Sequence, residues 1–175
     1  MHRDVAEARL ARDDVQGVVI GAETSLHAEL VEKAAQAGKP IALQKPMALT
    51  LDEADRIVAA GDHAGVPFTM AWQMRVDPQN LRIRQMLQDG TLGQVFMVRR
   101  RHGLPFLLNE HAANTWHAQA KWNRDLWADD ASHPIDFIYW LLGMPASVTA
   151  EIATLRDPNL PSDNGVALYR YQGGP

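Results

Sequence analysis

Asp129, His133, Asp136 and Trp140 follow one another at intervals of four, three and four residues. On a helix that spacing places all four on one face. A carboxylate, an imidazole and a second carboxylate are groups that accept and hold protons, and a free imidazole titrates at about 6.5. Ile135, Ile138 and Leu142 cluster on the opposite side of the same helix. Gly143 after the last apolar residue is a stop signal. Pro134 is tolerated only in a first turn, which sets the regular helix from near Ser132. A packed helix with an acidic–imidazole stripe at its polar end is suited to aim proton-handling groups into a cleft. The same pattern also arises without function. Acidic residues near a helix start are favoured by the macrodipole alone, and a lone histidine is often a satisfied, half-buried ring.

Other residues with chemistry to offer are scattered. Lys45 stands in Gln44-Lys45-Pro46, where its ammonium could stabilise a developing alkoxide or could simply be a solvated charge. Arg75 could contact a ligand or form an ion pair. Trp116, Trp122 and Trp127 could stack on the C–H face of a sugar or fill core. Arg124 could reach a substrate hydroxyl or carboxylate.

Composition narrows the classes. The 175 residues carry a net charge of −4, which argues for neither nucleic acid nor an anionic membrane as partner. Arg99-Arg100-Arg101 is the dense basic run, and in a strand its side chains would alternate between faces. With no cysteine, disulfides, thiolate metal sites and a cysteine nucleophile are excluded. No apolar run approaches a membrane span and no secretory signal is visible, so a cytoplasmic location is expected.

The elements that must position these residues fall into two halves. Residues 3–12 read as a short helix. Val15–Ile20 reads as a strand with a nearly continuous apolar run, as for a strand covered on both faces. A helix over about 26–37 follows, with Thr24 or Ser25 as its cap. Pro40–Leu43 is a second strand. Thr50-Leu-Asp-Glu53 is a capping box opening a helix to about residue 64, and Pro67–Trp72 is a third strand. This β-α-β-α-β order implies a parallel sheet, whose ligands bind beyond the carboxyl ends of its strands. Gly21–His27, Gln44–Pro46 and Trp72–Arg75 fall there. After a break near residues 73–78 come a helix from Pro78, a strand over Val95–Arg101 and a long loop over 103–124. The striped helix and two neighbouring antiparallel strands, Ser147–Leu155 and Val166–Tyr171, complete the second half. The chain contains no Gly-x-Gly-x-x-Gly turn, and both ends read as the interior of a longer chain.

These segments together resemble the Gfo/Idh/MocA family of NAD(P)-dependent oxidoreductases, the glucose–fructose oxidoreductase and inositol dehydrogenase group. Val18–His27 is similar to the family's strand and loop ending Pro-Asn-x-x-His, with Glu23 and Thr24 for the Pro and Asn and His27 kept. Ala37–Pro46 is similar to its Glu-Lys-Pro segment, with Gln44 for the Glu. Trp72–Arg75 with Pro78, and Gly90–Val95, resemble the next two turns. Asp129-x-Ala131-x-His133-x-x-Asp136 matches the family's Asp-x-Gly-x-His-x-x-Asp helix, with Ala for Gly.

The resemblance implies an α/β fold. A partial Rossmann-type parallel sheet over residues 1–75 would be followed by an α+β domain over 76–175 with an open, mainly antiparallel sheet used for homo-oligomer contacts. It implies hydride transfer from a CH–OH group of a sugar or polyol to NAD or NADP. His133 would be the base, Asp129 its orienting partner or a hydroxyl ligand, and Lys45 the ammonium at the reacting oxygen. Ala22, Thr24, His27, Gln44, Lys45 and Arg75 would line the cofactor, and Trp122 and Arg124 the substrate. Asp136 is expected to brace rather than react. Two other readings stay open. One is a metal-dependent hydrolase or isomerase built on His102, His111, His117, Asp129 and His133, although no two of these histidines stand four apart on a helix. The other is a non-catalytic interaction module, since without the glycine turn the pyrophosphate lacks its main anchor and NAD(P) binding by these residues is expected to be weak.

Overall fold

The computed structural model describes residues 2–105 and 114–174, in two compact units. The first comprises the residues to Ala71 together with Lys121–Asn123, and the second comprises Trp72–Ala120 with the residues from Arg124 onward.

In the first unit, helix α1 (His2–Leu10) precedes β1 (Val18–Ile20). A 3₁₀ turn over Thr24–Leu26 runs directly into α2 (His27–Gln36), and β2 (Ile41–Leu43), α3 (Leu51–Ala64) and β3 (Phe68–Met70) follow. The three strands are parallel in the order β1-β2-β3, with Val18, Ile41 and Phe68 in register and Ile20, Leu43 and Met70 two residues on. Alternate side chains point to opposite faces. One face packs Ile20, Ile41 and Leu43 against Ala28, Val31 and Ala34 of α2 and Ile57 of α3. Val31, Leu43 and Ile57 are fully buried, each contributing about 1.5–3 kcal/mol of transfer free energy. The other face carries Val19, Ala42 and Thr69. Val19 is 79% exposed, so β1 is not covered on both faces as its apolar run suggests. An apolar run alone does not report whether a second layer lies against it.

The capping box is formed: Thr50 Oγ1 accepts from the Glu53 N–H, and the Glu53 carboxylate accepts from the Thr50 N–H. Gly65 ends α3 at φ 62°, a left-handed position that favours glycine. The Lys45–Pro46 peptide after β2 is cis.

In the second unit, a 3₁₀ turn at Gln73–Arg75 leads to α4 (Pro78–Gln88). Asp77 caps α4, accepting from the N–H groups of Gln79 and Asn80, with Pro78 in the first turn. Val95–Arg101 forms no strand. A strand exists only through ladder bonds to a neighbour, and the two-stranded sheet of this unit does not include this segment. Within the expected loop over 103–124 stand a 3₁₀ turn at Trp116–Ala118 and a helical turn, α5 (Ala120–Asn123). Residues 106–113, including His111, lie outside the described residues. The striped helix is two helices, α6 (Leu126–Asp130) and α7 (Ser132–Leu142), joined at Ala131. Asp125 caps α6 at the Ala128 N–H, and Gly143, at φ 78°, ends α7. Strands β4 (Ser147–Ala153) and β5 (Asn164–Arg170) are antiparallel, Ala150 opposite Ala167.

Candidate functional site

The second unit gives every member of the stripe a partner from a different segment. Asp129, at the end of α6, is 2% exposed, and its Oδ2 lies 2.7 Å from His117 Nδ1. A carboxylate only accepts, so the Nδ1–H donates. The Trp116 ring stacks on His117 with centroids 3.6 Å apart and planes 26° apart. The carbonyl of Asp129 also accepts from the hydroxyl of Ser132, which ties α6 to α7.

His133, in the first turn of α7, is enclosed by rings. Trp72 meets it edge-on at 6.2 Å between centroids, and His102 lies at 6.1 Å. One turn further, Asp136 takes a two-pronged contact from Arg75. Nε donates at 2.9 Å and Nη2 at 2.5 Å. This carboxylate holds the Arg75 guanidinium above its usual value, the expected sign for a cation beside an anion. At the end of the stripe, Arg84 of α4 lies 4.7 Å over the Trp140 ring.

The polar stripe is therefore the buried side of α7. His133, Asp136 and Phe137 are its buried residues, while Ile135 is 37% exposed. Pro134, Ile135 and Ile138 face a cavity of about 430 Å³ that Arg100, His102 and Tyr169 also line. Residue type alone puts the apolar side inward. Paired charges and ring contacts offset the cost of burying the polar side instead.

In the first unit, the segments after β1 and β2 are held together by one ring. His27 is 1% exposed. Its Nδ1 lies 3.0 Å from the Pro46 carbonyl and 3.2 Å from that of Met47, and its Nε2 lies 3.1 Å from the Ala22 carbonyl. Thr24, also 1% exposed, donates its hydroxyl to the Asn123 side chain at 3.1 Å. Thr24 and His27 thus act on the shape of the strand-end segments. Gln44 Oε1 accepts from the Lys45 N–H, so the amide standing where the family pattern has an acid bonds its own backbone. Among the described residues, Ser25 Oγ is buried with no hydrogen-bond partner. A buried hydroxyl left unsatisfied costs about 1–3 kcal/mol, so this atom in the segment after β1 fits a polar group of a bound cofactor. The residues present, Ala22 and Ser25 after β1 with Gln44 and Lys45 after β2, suit a dinucleotide at the carboxyl ends of a parallel sheet.

Trp122 belongs to the first unit, with Lys121 Nζ 4.4 Å over its ring. Arg124 belongs to the second, at φ 50°, with Nε 3.4 Å from Asp125 Oδ2. Lys45 and His133 likewise sit in separate units. Arg75 lies in the second unit and is engaged by Asp136. Sequence reasoning missed the pairing of His117 with Asp129 and of Arg84 with Trp140. His117 lies in a stretch without periodicity, and its only signal is the crowd of Asn, His and Trp around it. Among the described residues no three His, Asp or Glu side chains gather as a metal site.

Comparison with known proteins places this arrangement. The family description "Oxidoreductase family, NAD-binding Rossmann fold" matches residues 3–71, and "GFO/IDH/MocA C-terminal domain" matches residues 80–175. The chain belongs to the GFO/IDH/MocA oxidoreductase family. Inositol 2-dehydrogenase 2 of Saccharopolyspora erythraea is 30% identical over 151 residues, covering 84% of this chain and 40% of the relative. D-apiose dehydrogenase of Paraburkholderia graminis is 40% identical over 96 residues, 55% of this chain and 25% of the relative. The WlbA dehydrogenase from Bordetella pertussis, solved with NADH and UDP-GlcNAcA, superposes with a TM-score of 0.79 at 28% identity. That match covers 95% of this chain and 48% of the other. The chain spans less than half the length of these relatives. The family brings the α/β architecture, a parallel Rossmann-type sheet in one unit and an antiparallel sheet in the other, and NAD(P) as cofactor class.

Proposed function

We propose that these units serve an NAD(P)-dependent dehydrogenase that oxidises a CH–OH group of a sugar, polyol or related substrate. The observation that carries the reading is the buried stripe of α6 and α7, in which an imidazole and two carboxylates are each held by a partner from another segment. Sugars and polyols are the substrate class named for the inositol and apiose relatives. When bound, the nicotinamide supplies the hydride acceptor. The chain's own residues do the rest. Residues 1–75 form the dinucleotide-binding part, with Ala22, Ser25, Gln44 and Lys45 toward the cofactor and Thr24 and His27 shaping the segments that present them. Residues 76–175 form the substrate part. Asp129 and His133 handle the hydroxyl proton, Trp122 and Arg124 contact the substrate, and Asp136 braces Arg75. The ammonium of Lys45 stabilises negative charge on the reacting oxygen.

A homo-oligomer through the second unit's sheet belongs to the same reading. Thr149, Glu151, Val166 and Leu168 share one sheet face, on which Val166 and Leu168 are more than half exposed. Apolar side chains on an open sheet face favour a second copy. The cytoplasm is the proposed location, and no helix among the described residues is long and apolar enough to cross a membrane.

The test is turnover of a panel of polyols, aldoses and nucleotide sugars with NAD⁺ or NADP⁺. Cofactor is supplied at millimolar concentration because the chain has no Gly-x-Gly-x-x-Gly turn. Reduced nicotinamide should appear with at least one substrate, and Lys45→Ala and His133→Gln should slow it by about 100-fold or more. An absence of turnover across the panel with both cofactors would overturn the reading.

A further inference from the structure

Arg124 stands immediately before the cap of α6, and its backbone is strained. At φ 50° and ψ −75° it lies near the γ-turn region, outside the left-handed helical well, where glycine enters far more easily than any residue with a Cβ. The turn is pinned on both sides. The Arg124 N–H donates to the Ala120 carbonyl, and the next residue, Asp125, caps α6 at the Ala128 N–H. A turn so placed suits glycine, yet it carries a long cationic side chain. Strain of this kind clusters at ligand contacts, where the side chain is needed in that place.

The side chain is 64% exposed and only loosely held. Nε lies 3.4 Å from Asp125 Oδ2, while Oδ1 of the same carboxylate is taken by the α6 cap. Among the described residues nothing else pairs with the guanidinium, so its Nη1 and Nη2 donors remain for a ligand. That planar fork matches the two oxygens of a carboxylate. Arg124 and Asp125 are the charged residues lining a cleft of about 650 Å³ within the second unit, with Gln119, Asn159 and Ser162 beside them. Amides, a hydroxyl and a carboxylate are the groups that bind sugar hydroxyls, and the volume is that of a small-molecule site.

We propose that Arg124 is a specificity-determining residue and that the substrate is an acid sugar, a uronate or aldonate whose carboxylate sits on the Arg124 guanidinium. Asp125, Gln119, Asn159 and Ser162 receive its hydroxyls. The proposal rests on the dehydrogenase reading above and narrows its substrate from sugars and polyols at large to those bearing a carboxylate. The strained backbone is what holds the guanidinium at the cleft, so stability and acid recognition oppose each other at this one position.

The experiment compares ligand binding and unfolding on the 175-residue chain. Binding is followed in Nε–Hε spectra of the ¹⁵N-arginine protein, titrated with D-glucuronate against D-glucose and with D-gluconate against D-glucitol. Each pair differs in the carboxylate. The acid of each pair should bind the wild type about tenfold more tightly or better, and the Arg124 Nε–Hε signal should shift with the acid. Arg124→Gly should bring acid and neutral sugar to equal affinity, and Arg124→Lys should lose most of the preference because an ammonium has no fork. In urea unfolding, Arg124→Gly should raise the midpoint, since glycine relieves the backbone. Equal binding of acid and neutral sugar by the wild type, or a preference that survives Arg124→Gly, would overturn the proposal. So would an Arg124→Gly protein no more stable than the wild type, because the strain would then be absent. Acetate that binds as tightly as glucuronate would also overturn it, as the sugar would contribute nothing. If no sugar is turned over with either cofactor, the dehydrogenase reading fails, while the binding comparison still decides whether this cleft takes acid sugars. The wild-type titrations stand even if a variant fails to fold.

Discussion

The six-membered ring of Trp127 covers Gly165. A Cβ built on Gly165 would come within 2.6 Å of Trp127 Cε3, closer still to Cζ3, and 3.0 Å from the Glu151 carbonyl. This is where α6 is seated on β5, and the Trp127 N–H also donates to the Ser162 carbonyl. No flexible chain end is involved, since the obstacle is a rigid indole. Gly165→Ala should therefore cost about 1–3 kcal/mol of unfolding free energy, as expected for overpacking. The measurement is urea unfolding of the two proteins. If the substitution is neutral, the indole is not seated as described. The double variant Gly165→Ala with Trp127→Leu should recover part of the loss.

The ring of His27 ties the segment after β1 to the segment after β2 through carbonyl contacts at both nitrogens. His27→Ala removes those contacts and leaves a void at a fully enclosed position, so about 2–4 kcal/mol should be lost. Hydrogen exchange adds a local test. The amides of residues 21–26 and 44–48 should exchange faster in the variant, while those of β4 and β5 should not change. Uniform acceleration across the chain would mean that the ring acts on the whole fold rather than on these two segments.

What is legible in the sequence follows from how local the cause is. The capping box at Thr50 and Glu53, the stop at Gly65 and the parallel order of the first three strands depend on residues a few positions apart. Each agrees with the structure to within a few residues at the ends. The start of α7 at Ser132 is legible for the same reason, because the constraint that Pro134 places on a first turn is local. The differences have remote causes. Val95–Arg101 has the apolar, partly β-branched start of a strand, Val95 to Val98, but no ladder, and a sequence does not name its neighbour. The inward side of α7 is not legible because His117, Trp72, His102 and Arg75 are what bury its polar stripe. Three of these lie in segments without regular periodicity. The oxidoreductase family is legible because its motifs recur in order over most of the chain.

Arg75 and Asp136 form a two-pronged pair in which the carboxylate is 8% exposed and the guanidinium 34%. Removing the arginine would leave a buried carboxylate without that partner. The partial exposure of Arg75 lets water compensate in part. Arg75→Leu should destabilise by about 1–3 kcal/mol, and Arg75→Lys by nearly as much, because an ammonium does not reproduce the planar fork. The double variant Arg75→Leu with Asp136→Leu should be more stable than Arg75→Leu alone. These comparisons can be read from chemical unfolding curves. An Arg75→Lys protein as stable as the wild type would show that charge alone, and not the fork, holds this contact.

Tyr169 gives the chain an alkaline sensitivity with a definite sign. Burial raises the Tyr169 phenol above its ordinary value of 10.0, because the phenolate would be poorly solvated there. The folded state then holds the proton more tightly than the unfolded state. The stability it contributes is complete below the unfolded value and is lost as pH rises through the folded one. Tyr171 is raised by burial and by Tyr169 in the same direction, and Lys33, held up by Glu7 and Glu29, also adds to an alkaline loss. Unfolding free energy should therefore fall as pH is taken above the ordinary tyrosine range. Tyr169→Phe, which cannot ionise, should reduce the slope of that fall without reversing it, since Tyr171 and Lys33 remain. The comparison needs urea unfolding at a series of alkaline pH values for both proteins. Identical slopes would mean that the phenol of Tyr169 meets enough water to ionise in place.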